Sequence, residues 1–132
     1  GFTVLNTLAR FPEAFRAGIS LYGVSNLIDL VTDTHKLELH YTDGLVGVLP
    51  EAYKVYLERS PLYHAQKIKT PLAIFQGEND VVVLPGQSSS MAEKVKGPVV
   101  FRLYPGEGHG FRKPETIKDY LLTVSRFLQD YL

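Results

Sequence analysis

Two loops of the sequence carry residues that could perform proton transfer. Asp80 follows the apolar run 72–76, and His109 follows the apolar run 99–104. A histidine titrates near neutral pH, so it can take a proton from a hydroxyl group and return it to a leaving group. A carboxylate that accepts a hydrogen bond from Nδ1 fixes the histidine tautomer and stabilises the imidazolium. These are the residue types of the acid and the base of a catalytic triad.

The order and spacing of the pair strengthen this interpretation. Asp80 precedes His109 by 29 residues, which leaves room for one crossover helix. Adjacent parallel strands would bring both loops to the same edge of a sheet, and acid before histidine is the order that follows a nucleophile elbow. Gly108 and Gly110 allow a tight loop around the ring. Taken singly, an aspartate in a turn or a histidine in a glycine-rich loop is usually structural, but the combination favours catalysis.

Hydrophobic patterning predicts the elements that position these loops. Continuous apolar runs that alternate with helical segments indicate a parallel sheet covered on both faces, an α/β fold. The last helix is amphipathic, with Ile117, Leu121, Val124, Phe127, Leu128 and Tyr131 recurring at helical spacing. The predicted strands are 16–22, 72–76 and 99–104, and the predicted helices are 2–9, 26–32, 50–58, 86–96 and 115–132.

The composition excludes several function classes. The chain has 132 residues, 45% of them hydrophobic, with 14 Lys+Arg against 14 Asp+Glu and no basic run. Nucleic acids and membranes are therefore not expected partners, and no apolar stretch reaches the length of about 18 residues that a bilayer requires. The chain has no cysteine, which excludes disulfides, thiolate metal sites and cysteine nucleophiles. No basic segment precedes an apolar stretch as in a signal peptide, and we expect a cytoplasmic location.

A metal or cofactor is not expected either. The cluster His35, Lys36, Glu38 and His40 contains two histidines five residues apart, whereas two ligands on one helix face need a spacing of three or four. Two glutamates lie near the candidate pair. Glu78 is a rival for the acid, and Glu78 and Glu107 are otherwise expected to be solvated or hydrogen-bonded loop residues.

Two blocks of sequence carry a resemblance to a known family. Residues 70–80 (TPLAIFQGEND) and 104–111 (YPGEGHGF) resemble the acid and histidine blocks of the prolyl oligopeptidase family, which includes acylaminoacyl and dipeptidyl peptidases. The segment 60–71 and the helix residues Gln87, Ser88 and Met91 are similar too. The resemblance implies that residues 1–132 are the C-terminal part of an α/β-hydrolase catalytic domain, with His109 as general base and acid.

The same resemblance concerns the nucleophile and the substrate. Gly1-Phe2 looks like the tail of a Gly-x-Ser-x-Gly-Gly motif, so the serine is expected a few residues before Gly1, outside this sequence. Ser20, Ser25 and Ser60 lack the pattern of a strand–turn–helix elbow, and the oxyanion donors are missing as well. Val83 matches a position that lines the pocket for the residue preceding the cut bond; simple apolar packing of residues 81–83 is an equal alternative.

These observations lead to three hypotheses of function. The first is a serine-type peptidase of the prolyl oligopeptidase type, without a cofactor, whose C-terminal portion is inactive alone. The second is an esterase or lipase-like hydrolase acting on small esters, and the third is a non-catalytic interaction domain that has lost the serine. We also expect a homodimer, because the outer edge of strand 16–22 would be unpaired. The apolar residues Phe2, Val4, Leu5 and Leu8 of helix 2–9 would also be left partly bare.

Overall fold

A computed structural model describes residues 1–33 and 40–132 of the chain. These residues form three strands and the helices that precede, connect and follow them. The elements follow one another as α1 (Phe2–Arg10), β1 (Gly18–Leu21), α2 (Leu27–Asp33), α3 (Tyr41–Leu45), α4 (Tyr53–Arg59), a 3₁₀ helix (Pro61–Lys67), β2 (Leu72–Gly77), α5 (Pro85–Lys94), β3 (Val99–Tyr104) and α6 (Pro114–Tyr131).

The strands form one parallel sheet with the order β1-β2-β3. Leu21 is in register with Phe75, and Gly77 is in register with Tyr104. The predicted architecture of three parallel strands flanked by helices is therefore confirmed, with β1 shorter than expected. Since β2 and β3 are adjacent and α5 connects them, the loops that follow them lie at the same edge of the sheet.

Both faces of β2 are covered. Every residue of β2 is buried, as continuous apolar strands in parallel sheets usually are. Leu72 and Ile74 pack in one cluster with residues of α1, the 3₁₀ helix and α5. Ala73 and Phe75 face the other side, where Phe127 of α6 covers them. The central strand is thus fixed between two layers.

The packing of α1 corrects one expectation. Leu5 and Leu8 are each only 2% exposed, because α1 packs against the 3₁₀ helix and β1. Phe2 and Val4 are half-buried. The prediction that the apolar residues of this helix are partly bare is therefore wrong for Leu5 and Leu8.

The orientation of α6 corrects another. Ile117 and Leu121 were expected on the apolar face, but they are 39% and 57% exposed. The other four residues of the predicted face, Val124, Phe127, Leu128 and Tyr131, do pack toward the sheet, and Tyr120 joins them there.

The outer edge of β1 carries no strand partner within the described residues. In the same part of the chain, α2 packs against α4 and adds no strand to that edge. No helix described here combines the length and the hydrophobicity needed to cross a bilayer. The predicted homodimer and the cytoplasmic location stay predictions.

Candidate functional site

The loops that follow β2 and β3 are locked together by close backbone contact. The N–H of Asn79 donates to the carbonyl oxygen of Glu107 at 2.8 Å. A Cβ on Gly77 would lie 2.3 Å from the carbonyl oxygen of Gly108 and 2.5 Å from that of Glu107. Such distances are below van der Waals contact, so the approach of the two loops requires glycine at this position.

This approach brings the two predicted residues into contact. Nδ1 of His109 lies 2.9 Å from Oδ2 of Asp80, a hydrogen-bond distance. The Asp80 side chain is fully buried, and that of His109 is 36% exposed. Among the described residues, Nε2 of His109 has no hydrogen-bond partner. The hydrogen bond at Nδ1 thus leaves Nε2 without a partner in this part of the chain.

The Asp80 carboxylate is surrounded by donors. Its Oδ1 accepts hydrogen bonds from the backbone N–H groups of Val82 and Val83, both at 2.9 Å. Its Oδ2 accepts one from Nε2 of Gln76 at 3.1 Å in addition to the contact with His109. Hydrogen bonds of this kind compensate for the burial of the carboxylate. They also hold it in place against the imidazole of His109.

Gln76 links Asp80 to the helix α5. It is fully buried at the end of β2, and its Oε1 accepts a hydrogen bond from Oγ of Ser88 at 2.7 Å. Its Nε2 lies within hydrogen-bond distance of both Asp80 and the carbonyl of Val83. A chain of polar contacts thus runs from Ser88 to His109. Gln76 was not among the predicted site residues, although a polar residue at the end of an apolar strand was a usable signal.

The loop that carries His109 is closed by Glu107. Its buried carboxylate accepts the backbone N–H groups of Arg112 and Lys113 at 2.9 and 2.8 Å. Burial favours the neutral form, but these hydrogen bonds, one from Thr116 and the charge of Lys113 outweigh it, so the pKa of Glu107 is lowered. Of the two predicted alternatives for Glu107, the hydrogen-bonded loop residue is the one observed. Glu78, the rival acid, is exposed and is not the carboxylate bonded to His109.

A cavity of about 320 Å³ opens beside the imidazole. His109 lines it together with Gly1, Phe2, Val24 and Val83. The start of the chain therefore lies at the same cavity as the histidine. Its walls are mainly apolar side chains, and Tyr22 and Tyr41 line it as well.

Val83 is the buried member of the run 81–83. It is 4% exposed, whereas Val81 is 73% and Val82 50% exposed. The run is therefore not packed as a whole, since only Val83 points into the protein. Val83 is both a packed residue and part of the cavity wall, and its role in substrate binding stays a prediction.

The serines named in the sequence analysis are all engaged elsewhere or enclosed. Ser20 lies buried within β1. Oγ of Ser25 donates to the carbonyl of Gln87 at 2.7 Å. Oγ of Ser60 accepts the N–H of Leu27 at 2.9 Å. Within residues 1–33 and 40–132, no serine hydroxyl hydrogen-bonds His109.

The cluster weighed as a metal site lies mostly outside the described residues, which exclude His35, Lys36 and Glu38. His40 is described, and its Nδ1 lies 2.8 Å from Oδ2 of Asp43. Among the residues that are described, no group of three or more histidine, aspartate or glutamate side chains could hold a metal ion. The expected absence of a metal stays a prediction.

Comparisons with known proteins match the whole of this chain. The family model described as "Prolyl oligopeptidase family" matches residues 1–132. Dipeptidyl aminopeptidase BIII of Pseudoxanthomonas mexicana is 34% identical over 140 residues, covering all of this chain and 20% of that protein. Dipeptidyl peptidase family member 6 of Caenorhabditis elegans is 33% identical over 141 residues, again covering the whole chain and 19% of the relative.

A solved structure shows the same fold. The puromycin-hydrolyzing peptidase of Mycobacterium tuberculosis superposes with a TM-score of 0.94 at 36% identity, over 99% of this chain and 20% of that protein. The chain thus spans about one fifth of the length of the relatives it matches.

Proposed function

Because this chain belongs to the prolyl oligopeptidase family, we propose that it is the C-terminal part of the catalytic domain of a serine-type peptidase, with His109 as general base and acid and Asp80 as the carboxylate that orients it. The observation that carries the proposal is the 2.9 Å contact between Nδ1 of His109 and the buried Asp80. A carboxylate oxygen that accepts this hydrogen bond requires the proton on Nδ1, and the lone pair of Nε2 is then available.

The reaction follows from that arrangement. Nε2 takes the proton of a serine hydroxyl while the serine oxygen attacks the carbonyl carbon of the substrate. The resulting imidazolium is stabilised by Asp80 and gives its proton to the leaving amine as the acyl–nitrogen bond breaks. A water molecule then attacks the acyl-enzyme, with His109 again accepting and returning the proton. No cofactor takes part in this sequence of steps.

We propose that residues preceding Gly1 in the full-length protein supply the serine. Gly1 lies at the cavity that His109 lines, so a residue shortly before it would be near the imidazole. A Cβ on Gly1 would lie 2.1 Å from Cα of Gly23, and this tight packing fits the glycine-rich tail of a nucleophile elbow. Residues 1–132 alone are then inactive, since they lack the nucleophile and its oxyanion donors.

The cavity suggests the class of substrate. Phe2, Val24 and Val83 provide apolar walls beside His109, which suits a small or apolar side chain next to the scissile bond. The relatives named as dipeptidyl peptidases and as a puromycin-hydrolyzing peptidase support a substrate with an amide bond to an amino acid. We therefore propose a peptide substrate and take Val83 as a substrate-binding residue.

The test compares amides with esters on the full-length protein. A panel of aminoacyl and dipeptidyl nitroanilides and short-chain nitrophenyl esters is assayed with the wild-type protein and with His109→Ala. We expect nitroanilide hydrolysis, strongest with apolar residues, that His109→Ala abolishes. Hydrolysis of the esters alone would replace the peptidase by an esterase. Absence of His109-dependent turnover of any substrate would leave a non-catalytic interaction domain.

A further inference from the structure

Tyr22 has an unusual backbone conformation directly after β1. Its φ is 37°, the one positive φ of a non-glycine residue within residues 1–33 and 40–132. Side chains with a Cβ rarely adopt this region, and bulky ones do so at a cost in free energy. Such a conformation persists only where the surrounding structure fixes it.

Two contacts fix Tyr22 in this conformation. Its N–H donates to the carbonyl oxygen of Phe75 at 2.8 Å, which extends the pairing of β1 with β2. The next residue, Gly23, packs against Gly1 so closely that a Cβ on Gly23 would lie 2.9 Å from Cα of Gly1. The chain therefore leaves the sheet and turns at once toward the start of α1, and Tyr22 makes that turn.

The turn brings the ring of Tyr22 into contact with the imidazole of His109, the candidate base. The ring centroids of Tyr22 and His109 are 4.4 Å apart with planes tilted by 50°. Tyr22 also meets Phe111 edge-on at 5.8 Å. Phe111 in turn contacts Tyr104 at 5.0 Å and Tyr120 at 5.9 Å. The wall beside the imidazole is thus anchored in the aromatic core between the sheet and α6.

We infer that Tyr22 is a positioning residue that holds the His109 imidazole in the orientation needed for proton transfer. This inference rests on the proposed function of His109. Asp80 holds the ring only through Nδ1, and a single hydrogen bond leaves rotation about its axis unrestrained. The tyrosine ring restricts that rotation through the contact at 4.4 Å.

The chemistry of the contact adds a second effect. The face of an aromatic ring attracts a cation within about 6 Å of its centroid, so Tyr22 attracts the imidazolium more than the neutral imidazole. An interaction that strengthens as the proton is transferred accelerates the chemical step rather than binding. Since the ring and not the hydroxyl makes this contact, phenylalanine at this position should preserve kcat.

The test compares Tyr22→Phe with Tyr22→Leu in the full-length protein. Both variants keep a Cβ and therefore the same backbone cost, but only phenylalanine keeps the ring. We expect Tyr22→Phe to retain kcat within about twofold and Tyr22→Leu to lower kcat by about 3- to 10-fold, the range that aromatic pair energies correspond to. KM should change less than kcat. Tyr63→Leu, which alters an exposed tyrosine of the 3₁₀ helix, serves as the control and should match the wild type.

A second variant, Tyr22→Asn, controls for the possibility that Tyr22→Leu loses activity through a folding defect. Asparagine tolerates positive φ, so Tyr22→Asn removes the ring with less backbone cost and should show the same loss in kcat. An equal loss in Tyr22→Phe and Tyr22→Leu, or an increase in KM with unchanged kcat, would overturn the inference. His109→Ala is assayed in parallel. If His109→Ala retains activity, the proposed function fails. If His109→Ala loses activity while the Tyr22 variants keep the wild-type kcat, only the inference about Tyr22 fails.

Discussion

Replacement of Asp80 by asparagine separates the catalytic role of this residue from its structural role. The four groups around the carboxylate are all donors: the N–H groups of Val82 and Val83 at one oxygen, and Gln76 and His109 at the other. Asparagine has one acceptor oxygen, so its NH₂ group must face two of these donors. If that group faces His109, the ring must turn Nδ1 into an acceptor and carry its proton on Nε2, which can then no longer accept one.

Two magnitudes follow. A triad histidine in the wrong tautomer loses on the order of 10⁴-fold in kcat, which corresponds to about 5 kcal/mol in activation free energy. Buried donors left without an acceptor cost about 1–3 kcal/mol in the free energy of unfolding. Asp80→Asn should therefore lose far more activity than stability.

The assay measures kcat on the nitroanilide substrate and the free energy of unfolding by denaturant titration, both in the full-length protein. Glu78→Gln is the matched control, because Glu78 is an exposed carboxylate two residues away, and it should retain kcat within about twofold. A variant Asp80→Asn that keeps more than a tenth of kcat would refute the reasoning. Loss of activity in Glu78→Gln instead would move the acid to Glu78.

Three further predictions test the surroundings of the site. Gly77→Ala should lower the free energy of unfolding by about 1–3 kcal/mol and reduce kcat, because its Cβ would meet the carbonyl of Gly108 at 2.3 Å. Gly86→Ala is the control, since a Cβ there meets nothing within 4 Å, and it should leave the free energy of unfolding unchanged or raise it. Because the pKa of Glu107 lies below its ordinary value of 4.5, its carboxylate stabilises the fold above that pH and loses this effect as the pH falls through the folded-state value. The difference in free energy of unfolding between wild type and Glu107→Gln should therefore be widest near neutral pH and shrink in acid, and a difference independent of pH would contradict the assignment. The isolated chain 1–132 should sediment as a homodimer at micromolar concentration through the unpaired edge of β1, and a clean monomer mass would contradict this.

Local patterns predicted the sheet and the pair of candidate residues because both depend on short stretches of sequence. The continuous apolar run of β2 indicates burial on both faces, and an aspartate and a histidine after consecutive parallel strands must lie at the same edge. The contact between Asp80 and His109 follows from this topology. Val83 was placed at the cavity by resemblance alone.

The remaining features depend on contacts between distant segments. Ser88 reaches Gln76 only because α5 packs over β2, which no local pattern encodes. Tyr120 packs toward the sheet in the first half of α6 while Ile117 and Leu121 are exposed, whereas the periodicity of the apolar residues alone favoured Ile117 and Leu121. The conformation of Tyr22 depends on the close approach of Gly23 to Gly1, which are far apart in the sequence.

Covalent labelling tests the central claim most directly. The full-length protein is incubated with a fluorophosphonate probe, and the labelled residue is identified by mass spectrometry in the wild type and in His109→Ala. We predict one labelled serine, outside residues 1–132, and loss of labelling in His109→Ala, because the histidine activates the nucleophile. Labelling of a serine within residues 1–132, or labelling of His109→Ala at the wild-type rate, would contradict the account.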